Sequence, residues 1–249
     1  MKAIINALLF VLFISVLIVG NTHWKNTTSN LNSNTHSVSY THQDYYIDFA
    51  KSWPEGAQKK LRTVIQNKGN FQILLLGSAS IGESDLGLFS NLKETITNTY
   101  NGYVSLETIV YDKTSSDFII NDETKNIVKK KPDMIIFEPF LLTDNNVVGI
   151  NTTLTNISTI IEKTKNELPD ATFVIQPANP IYNANLYPKQ VSALKDYAET
   201  KKITYLDHWK IWPEGNSIEI LDYINQDGTP NKKGYEIWSN YITNFLVTK

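Results

Sequence analysis

Apolar runs and amphipathic segments alternate along the chain from about residue 52 to its carboxyl terminus. Short apolar runs bounded by turn residues are typical of buried strands, and longer segments with apolar residues three or four apart are typical of helices. The pattern predicts strands at residues 71–76, 103–111, 133–138, 171–176 and 203–206, and helices at 55–67, 86–100, 116–130, 150–168, 189–200 and 232–246. This alternation predicts an α/β fold, a three-layer α/β/α sandwich around a five-stranded parallel, flavodoxin-like sheet.

The amino terminus carries a different pattern. Residues 3–20 form an apolar run that follows Lys2 and is interrupted only by Asn6 and Ser15. A run of this length is at the short end of what spans a bilayer, so residues 1–20 are predicted to be a signal anchor or a signal peptide. The small-residue cleavage site near Gly20 is poor, which favours an uncleaved, single-pass anchor in the cell membrane; secretion after cleavage is the alternative. Lys2 predicts that the carboxyl-terminal part lies outside the cytoplasm.

Between this run and the folded part, residues 21–43 consist mainly of Asn, Thr, Ser and His. Such a polar segment cannot bury a core and is typical of a disordered linker. The expected organisation is therefore an anchor at 1–20, a linker at 21–43 and one domain at 44–249. Three of the four histidines lie at 23, 36 and 42, but their irregular spacing disfavours a metal site.

Composition removes several classes of function. The formal net charge is −2 and the pI is about 6.1, so no basic surface for nucleic acid is expected. The chain has no cysteine, which excludes disulfides, thiolate metal sites and a cysteine nucleophile.

The end of the first strand is the strongest candidate for chemistry. The apolar run 71–76 breaks into Gly77, and two hydroxyls follow at Ser78 and Ser80. Gly77 permits a tight turn, and residues at the carboxyl ends of parallel strands lie where open α/β sheets bind their ligands. The alternative is an ordinary loop whose serines cap the next helix.

Four segments make the chain similar to the SGNH (GDSL-like) hydrolase superfamily over residues 70–247. They are the glycine-serine turn after the first strand, the strand 133–138 with Thr143-Asp144-Asn145 after it, Gln176-Pro-Ala-Asn-Pro180, and Asp227-Gly-Thr-Pro-Asn-Lys-Lys-Gly-Tyr235. The last match is the most specific. The resemblance implies a serine nucleophile, a histidine base oriented by an aspartate, and an oxyanion hole.

The chain departs from this family pattern at its catalytic positions. Strict alignment of Gly-Asp-Ser gives Gly77-Ser78-Ala79, and the family's Asp-x-x-His becomes Asp227-Gly-Thr-Pro without histidine. Either Ser78 or Ser80 is then the candidate nucleophile. His208 or Asp227 is the candidate base, with His208 oriented by Asp207 or Asp227. The alternative for His208 is packing near Trp209 and Trp212.

The remaining site candidates are for the oxyanion or the substrate: Gly77, Glu138, Asn145 and Tyr182. Glu138 is equally suited to be a structural hydrogen-bond acceptor, and Asn145 to be part of an ordinary turn. Tyr182 belongs to a set of aromatic loop residues that could stack on sugar rings or simply pack on the core.

The sequence thus predicts an extracytoplasmic ester hydrolase that removes acyl or O-acetyl groups from cell-envelope carbohydrate. No cofactor is expected. The expected partners are an acylated carbohydrate or lipid substrate and the membrane. The alternative is a catalytically inactive domain of the same fold that binds glycan or a protein partner. A flavin or nucleotide binder is disfavoured, because residues 77–82 match neither phosphate-binding glycine pattern.

Overall fold

A computed structural model describes residues 42–82 and 87–248 of the chain. The helix expected at 1–20 lies outside the described residues, and so does all of the expected linker except its last two positions. Within the described ranges, no helix is both long and apolar enough to cross a membrane. The residues from His42 onward form one compact unit.

The predicted five-stranded parallel sheet is confirmed. Its strands are β1 (Phe71–Gly77), β2 (Val104–Val110), β3 (Met134–Phe137), β4 (Thr172–Ile175) and β5 (Thr204–Tyr205). They lie in the order β2-β1-β3-β4-β5, and every neighbouring pair is parallel. This is the flavodoxin-like order. Residues 73–76 of the interior strand β1 are fully buried, as expected for a strand covered on both faces.

Helices cover both faces of the sheet and complete the three layers. They are α1 (His42–Phe49), α2 (Glu55–Gln66), α3 (Leu88–Thr99), α4 (Ser115–Ile120), α5 (Thr124–Lys130), α6 (Leu141–Asp144), α7 (Ile150–Glu167), α8 (Tyr187–Lys201) and α9 (Lys232–Leu246). Helix α3 packs against α9, whereas α7 packs against α4, α5 and α8. Short 3-10 helices occur at Ala79–Ile81, His208–Ile211 and Ile218–Asp222.

Three helical features differ from the sequence prediction. The single helix expected at 116–130 is two helices, α4 and α5, because Asp122 has a left-handed backbone with φ of 55°. Helix α1 was not expected; it buries Tyr46 and Ile47, but eight residues are too few for a clear helical period. The single turn α6 was not expected either.

Candidate active site

A cavity of about 540 Å³ opens at the carboxyl edge of the sheet. The loops after four strands line it, together with the loop that precedes α9. Its walls include Ser78, Ala79 and Ser80 after β1, Asp112 after β2, Thr143 and Asn145 after β3, Ile181 and Tyr182 after β4, and Asp227, Gly228 and Thr229 before α9. The loops after four of the five strands therefore meet at one edge of the sheet, whereas no residue of 207–213, after β5, lines this cavity.

The turn from β1 into this cavity requires glycine. A Cβ atom on Gly77 would lie 2.8 Å from Ile81 Cγ2 and 2.9 Å from Glu138 Cβ, closer than real side chains approach. After Gly77, the Ser78 Oγ accepts a hydrogen bond from the Ser80 amide at 3.3 Å and caps the 3-10 helix Ala79–Ile81. Ser78 thus has the capping role that was the alternative for it, and it also lines the cavity. Gly77 shapes the turn and is not itself part of the cavity wall.

Glu138 lies directly behind Ser78 and is fully buried. Its Oε2 accepts the Ser78 amide at 2.6 Å and its Oε1 accepts the Phe140 amide at 3.1 Å. Burial raises the pKa of this carboxyl group, and the nearby Ser78 side chain together with the hydrogen bonds from the Ser78 and Phe140 amides partly opposes that rise. Glu138 was expected to contact the oxyanion or the substrate. It instead contacts Ser78, because the end of β3 turns this side chain towards β1.

The backbone amides of the turn after Gly77 differ in whether they already donate a hydrogen bond. The amides of Ser78 and Ser80 donate to Glu138 and to Ser78 Oγ, and the amides of Ile81 and Gly82 donate to carbonyls of the same turn. The Ala79 amide has no acceptor among the described residues. No sequence pattern indicates this amide, because the hydrogen bonding of a single backbone amide depends on the turn geometry.

Asn145 faces the same cavity from the loop after β3. Its Oδ1 is buried without a hydrogen-bond partner among the residues that the structure describes. The structure therefore places this predicted oxyanion residue in the same cavity as Ser78. Its side-chain amide has no hydrogen-bond partner in the described part of the protein.

Asp227 lies at the exposed mouth of the cavity. Its Oδ1 accepts hydrogen bonds from the Thr229 hydroxyl at 2.6 Å and from the Thr229 amide at 2.9 Å. These bonds hold the pKa of Asp227 below its usual value, and the carboxylate is correspondingly a weaker base. Asp227 is thus present in the cavity, but its hydrogen bonds order the loop rather than activate Ser78 or Ser80.

The structure corrects the expectation that His208 is a base. His208 is fully buried: its Nε2 donates to the Pro177 carbonyl at 2.8 Å and its Nδ1 accepts from Trp212 Nε1 at 3.0 Å. The ring also stacks on Trp238 with centroids 4.5 Å apart. Burial lowers its pKa to about 3. Both nitrogens are committed to the core, which agrees with the packing alternative and leaves none for a serine.

Asp207, the expected partner of His208, also points elsewhere. Its Oδ2 accepts from Lys195 Nζ at 3.0 Å and from Lys210 Nζ at 3.2 Å. Tyr182, in contrast, is 44% exposed and lines the cavity, as a substrate-contacting residue must. In the residues described, no cluster of three or more acidic or histidine side chains is arranged to hold a metal ion.

No protein-family model matches the sequence, and no curated protein matches it. Solved structures do resemble it. One is a carbohydrate esterase of family 3 from Talaromyces cellulolyticus, at a TM-score of 0.59 and 13% identity, with 71% of this chain and 96% of that chain covered. Another is a catalytic mutant of an acetylxylan esterase from Geobacillus stearothermophilus, at a TM-score of 0.58 and 11% identity, with 72% and 95% covered. A third is a GDSL-like lipase from Bacteroides thetaiotaomicron, at a TM-score of 0.53 and 13% identity, with 77% and 98% covered.

The chain has the fold of the SGNH hydrolases. Within that fold, its first block is altered in a specific way. Ala79 lies where the family has serine and lines the cavity, and a hydroxyl lies one residue earlier at Ser78. The last block keeps Asp227 and Gly228. Thr229 is followed directly by Pro230, whereas the family has a histidine between the corresponding two positions. The cavity therefore has two serine hydroxyls and the Asn145 side-chain amide among its described wall residues, but no histidine.

Proposed function

We propose that this domain is an ester hydrolase in which Ser78 is the nucleophile and Glu138 is the base. One observation carries this proposal: Ser78 lines the cavity and lies against the buried Glu138 carboxyl group, whose Oε2 accepts the Ser78 amide at 2.6 Å and whose pKa is raised by burial. A raised pKa makes a carboxylate a stronger base, which is how enzymes adapt glutamate to proton transfer. The solved structures with the same fold include proteins named as esterases and a lipase.

The proposed reaction has two steps. The Ser78 oxygen attacks the ester carbonyl while its proton passes to the Glu138 carboxylate, and the Ala79 amide and Asn145 stabilise the negative charge on the carbonyl oxygen. The carbon–oxygen bond to the alcohol then breaks, and the proton on Glu138 is returned to that alcohol. Water then attacks the acyl-serine while Glu138 accepts one of its protons. The bond between the acyl carbon and Ser78 Oγ breaks, the proton passes from Glu138 to Ser78 Oγ, and the acid is released.

The proposed substrate is an acyl or O-acetyl ester on cell-envelope carbohydrate, reached from the outer side of the membrane. The apolar run at 3–20 and the polar segment after it support this location. The names of two of the similar structures, an acetylxylan esterase and a carbohydrate esterase, support a sugar ester. Tyr182 at the mouth of the cavity offers an aromatic face to such a substrate.

The test is hydrolysis of 4-nitrophenyl acetate by the full-length chain in a non-ionic detergent. We expect Ser78→Ala to reduce the rate to that of buffer, because the attacking oxygen is removed. Glu138→Gln should lower kcat about 10²-fold or more, the usual contribution of a general base. Ser80→Ala is the matched control, since Ser80 is the neighbouring cavity serine and no hydrogen bond from its hydroxyl is seen to described residues.

A fluorophosphonate probe gives an independent readout, because it forms a covalent adduct with an activated serine. The proposal requires the adduct on Ser78, located by mass spectrometry, and requires its loss in Glu138→Gln. An adduct on Ser80, or activity that survives Ser78→Ala, contradicts the assignment. Thermal unfolding of each variant separates a loss of chemistry from a loss of fold.

A second candidate function is glycan binding without catalysis. The burial of His208 favours it, because the one histidine after residue 42 is committed to the core. If the wild-type chain neither hydrolyses aryl acetates nor reacts with the fluorophosphonate, this second function replaces the first.

A further inference from the structure

A second cavity, of about 510 Å³, lies beside the first and shares Ile181 with it. Its walls are apolar and stiff: they include Trp209, Trp212, Pro180, Pro188 and Pro213. We call this cavity the tryptophan groove. Because Ile181 lines both cavities, the two are adjacent on the protein surface.

The groove is held in its shape by contacts between the loops after β4 and β5. Trp209 Nε1 donates to the Ala178 carbonyl at 2.7 Å, and the Asn183 amide donates to the Gly215 carbonyl at 2.7 Å. The Trp209 ring also meets Tyr187 edge-on, with centroids 5.4 Å apart. A preformed groove loses little conformational entropy when it binds a ligand.

The chemistry of the groove combines aromatic faces with polar groups at the rim. Trp209 is half-buried, and the exposed residues Glu214 and Asn216 line the same cavity. Lys210, also on the rim, is paired with Asp207 at 3.2 Å, which reduces its attraction for anions. A sugar ring fits this arrangement, because its C–H face packs on an indole and its hydroxyls reach acceptors around the ring. A long acyl chain would make no hydrogen bonds with those polar groups.

We propose that the tryptophan groove binds neutral sugar residues of a saccharide chain next to the sugar whose ester occupies the Ser78 cavity. This inference rests on the proposed function and specifies its substrate as an oligomer or polymer rather than a monosaccharide ester. Trp209 supplies the stacking surface. Ile181 marks the point where the chain passes from one cavity to the other.

The test measures binding of unesterified oligosaccharides by calorimetry, so that no hydrolysis is needed for a signal. The probes are xylotetraose, cellotetraose and the β-1,4-linked tetramer of N-acetylglucosamine. The protein is the full-length chain in a polyoxyethylene detergent, which has no sugar head group. At least one tetramer should bind, and Trp209→Ala should weaken it about tenfold, the effect of losing an aromatic contact of roughly 1.4 kcal/mol.

Two further variants keep the result interpretable if Trp209→Ala unfolds. Ala184→Arg puts a long side chain into the groove from a half-buried position on its wall and should also weaken binding. Trp209→Phe keeps an aromatic ring and should retain most of the affinity, while the change in tryptophan fluorescence on binding decreases. Tyr45→Ala is the control, because Tyr45 is an exposed aromatic outside the groove.

Three outcomes overturn the inference: no tetramer binds at about 10 mM, binding is equal in Trp209→Ala, Ala184→Arg and wild type, or octaproline binds more tightly than every tetramer. Failure to hydrolyse an ester is a separate result, which bears on the proposed reaction and not on sugar binding in the groove. A chain that binds a tetramer through Trp209 but hydrolyses no ester keeps the groove and loses the proposed reaction.

Discussion

His208 lies among aromatic rings, with one nitrogen donating to a carbonyl and the other accepting from an indole. Both ring nitrogens of the neutral imidazole therefore have a hydrogen-bond partner. The protonated ring would carry a second N–H directed at the N–H of Trp212, and a charge with no counter-ion contact in the core. Burial is accordingly the main reason that its pKa decreases from 6.5 to about 3.

This residue predicts acid sensitivity of the fold. Above pH 6.5 the imidazole is neutral in both the folded and the unfolded chain, so it adds no pH dependence. Between pH 6.5 and about 3 only the unfolded chain binds the proton, so the free energy of unfolding should decrease by up to about 1.4 kcal/mol per pH unit from this residue. Urea unfolding curves measured from pH 7 to pH 4 test this expectation.

His208→Gln is the matched variant for that measurement. A glutamine amide can donate to Pro177 O and accept from Trp212, but it does not titrate. We expect the variant to be less stable at pH 7, because it loses the stacking on Trp238, and to show a shallower decrease towards pH 4. Equal slopes for the two proteins would show that His208 is not the origin of the acid sensitivity.

The sequence indicated where the site lies better than how it works. The glycine turn at the end of an apolar strand was sufficient to place Ser78, because parallel strands bring their carboxyl ends to one edge. The contact of Glu138 with Ser78 and the burial of His208 were not predictable in the same way. Each depends on the direction of one side chain at a strand end, and packing against residues far away in the sequence determines that direction.

At the scale of elements, Asp144 connects helices α4, α6 and α7. It is fully buried, its Oδ1 accepts the Ser115 amide at 2.8 Å, and its Oδ2 accepts the hydroxyls of Ser115 and Thr153, each at 2.6 Å. The sequence placed Asp144 in the oxyanion region of the family. Its hydrogen bonds instead anchor the helices that position the neighbouring Asn145.

Asp144→Ala should therefore destabilise the domain strongly. The substitution leaves a buried amide and two hydroxyls without their charged acceptor, and a loss of about 3 kcal/mol is expected for a buried, hydrogen-bonded charge. Chemical denaturation measures this loss. Asp170→Ala is the control: the Asp170 side chain is 83% exposed and its ion pair with Lys60 is 3.9 Å long, so we expect a change within about 0.5 kcal/mol. Similar losses in both variants would contradict the anchoring role.

The elements themselves were largely predictable, and the exceptions have local causes. Buried apolar runs located all five strands, and α9 begins and ends at the predicted residues 232 and 246. The interruption between α4 and α5 was missed, because residues 116–130 keep enough helical spacing to resemble one helix. Tertiary packing determines the left-handed conformation of Asp122, and the hydrophobic pattern does not indicate it.

At the scale of the whole molecule, the proposals for the amino terminus and for the cavity depend on each other. An esterase that acts on envelope carbohydrate must be outside the cytoplasm, and a hydrophobic amino terminus followed by a polar segment would hold the domain there near its substrate. The sequence contains both segments, at 1–20 and 21–43. Tethering raises the local concentration of the domain at the envelope.

The final prediction concerns this tether. Full-length chain expressed in a bacterium should remain with the membranes after an alkaline carbonate wash, and deletion of residues 1–20 should release it, because about 18 apolar residues are removed. Protease added to spheroplasts should digest the domain of the full-length chain, since Lys2 favours an amino terminus on the inner side. Amino-terminal sequencing separates the two forms. A membrane-bound protein that starts at Met1 indicates an anchor. A protein that starts near residue 21 and is released into the medium indicates a cleaved signal peptide. Protection of the domain from protease in intact spheroplasts would place it in the cytoplasm and would remove envelope carbohydrate as its substrate.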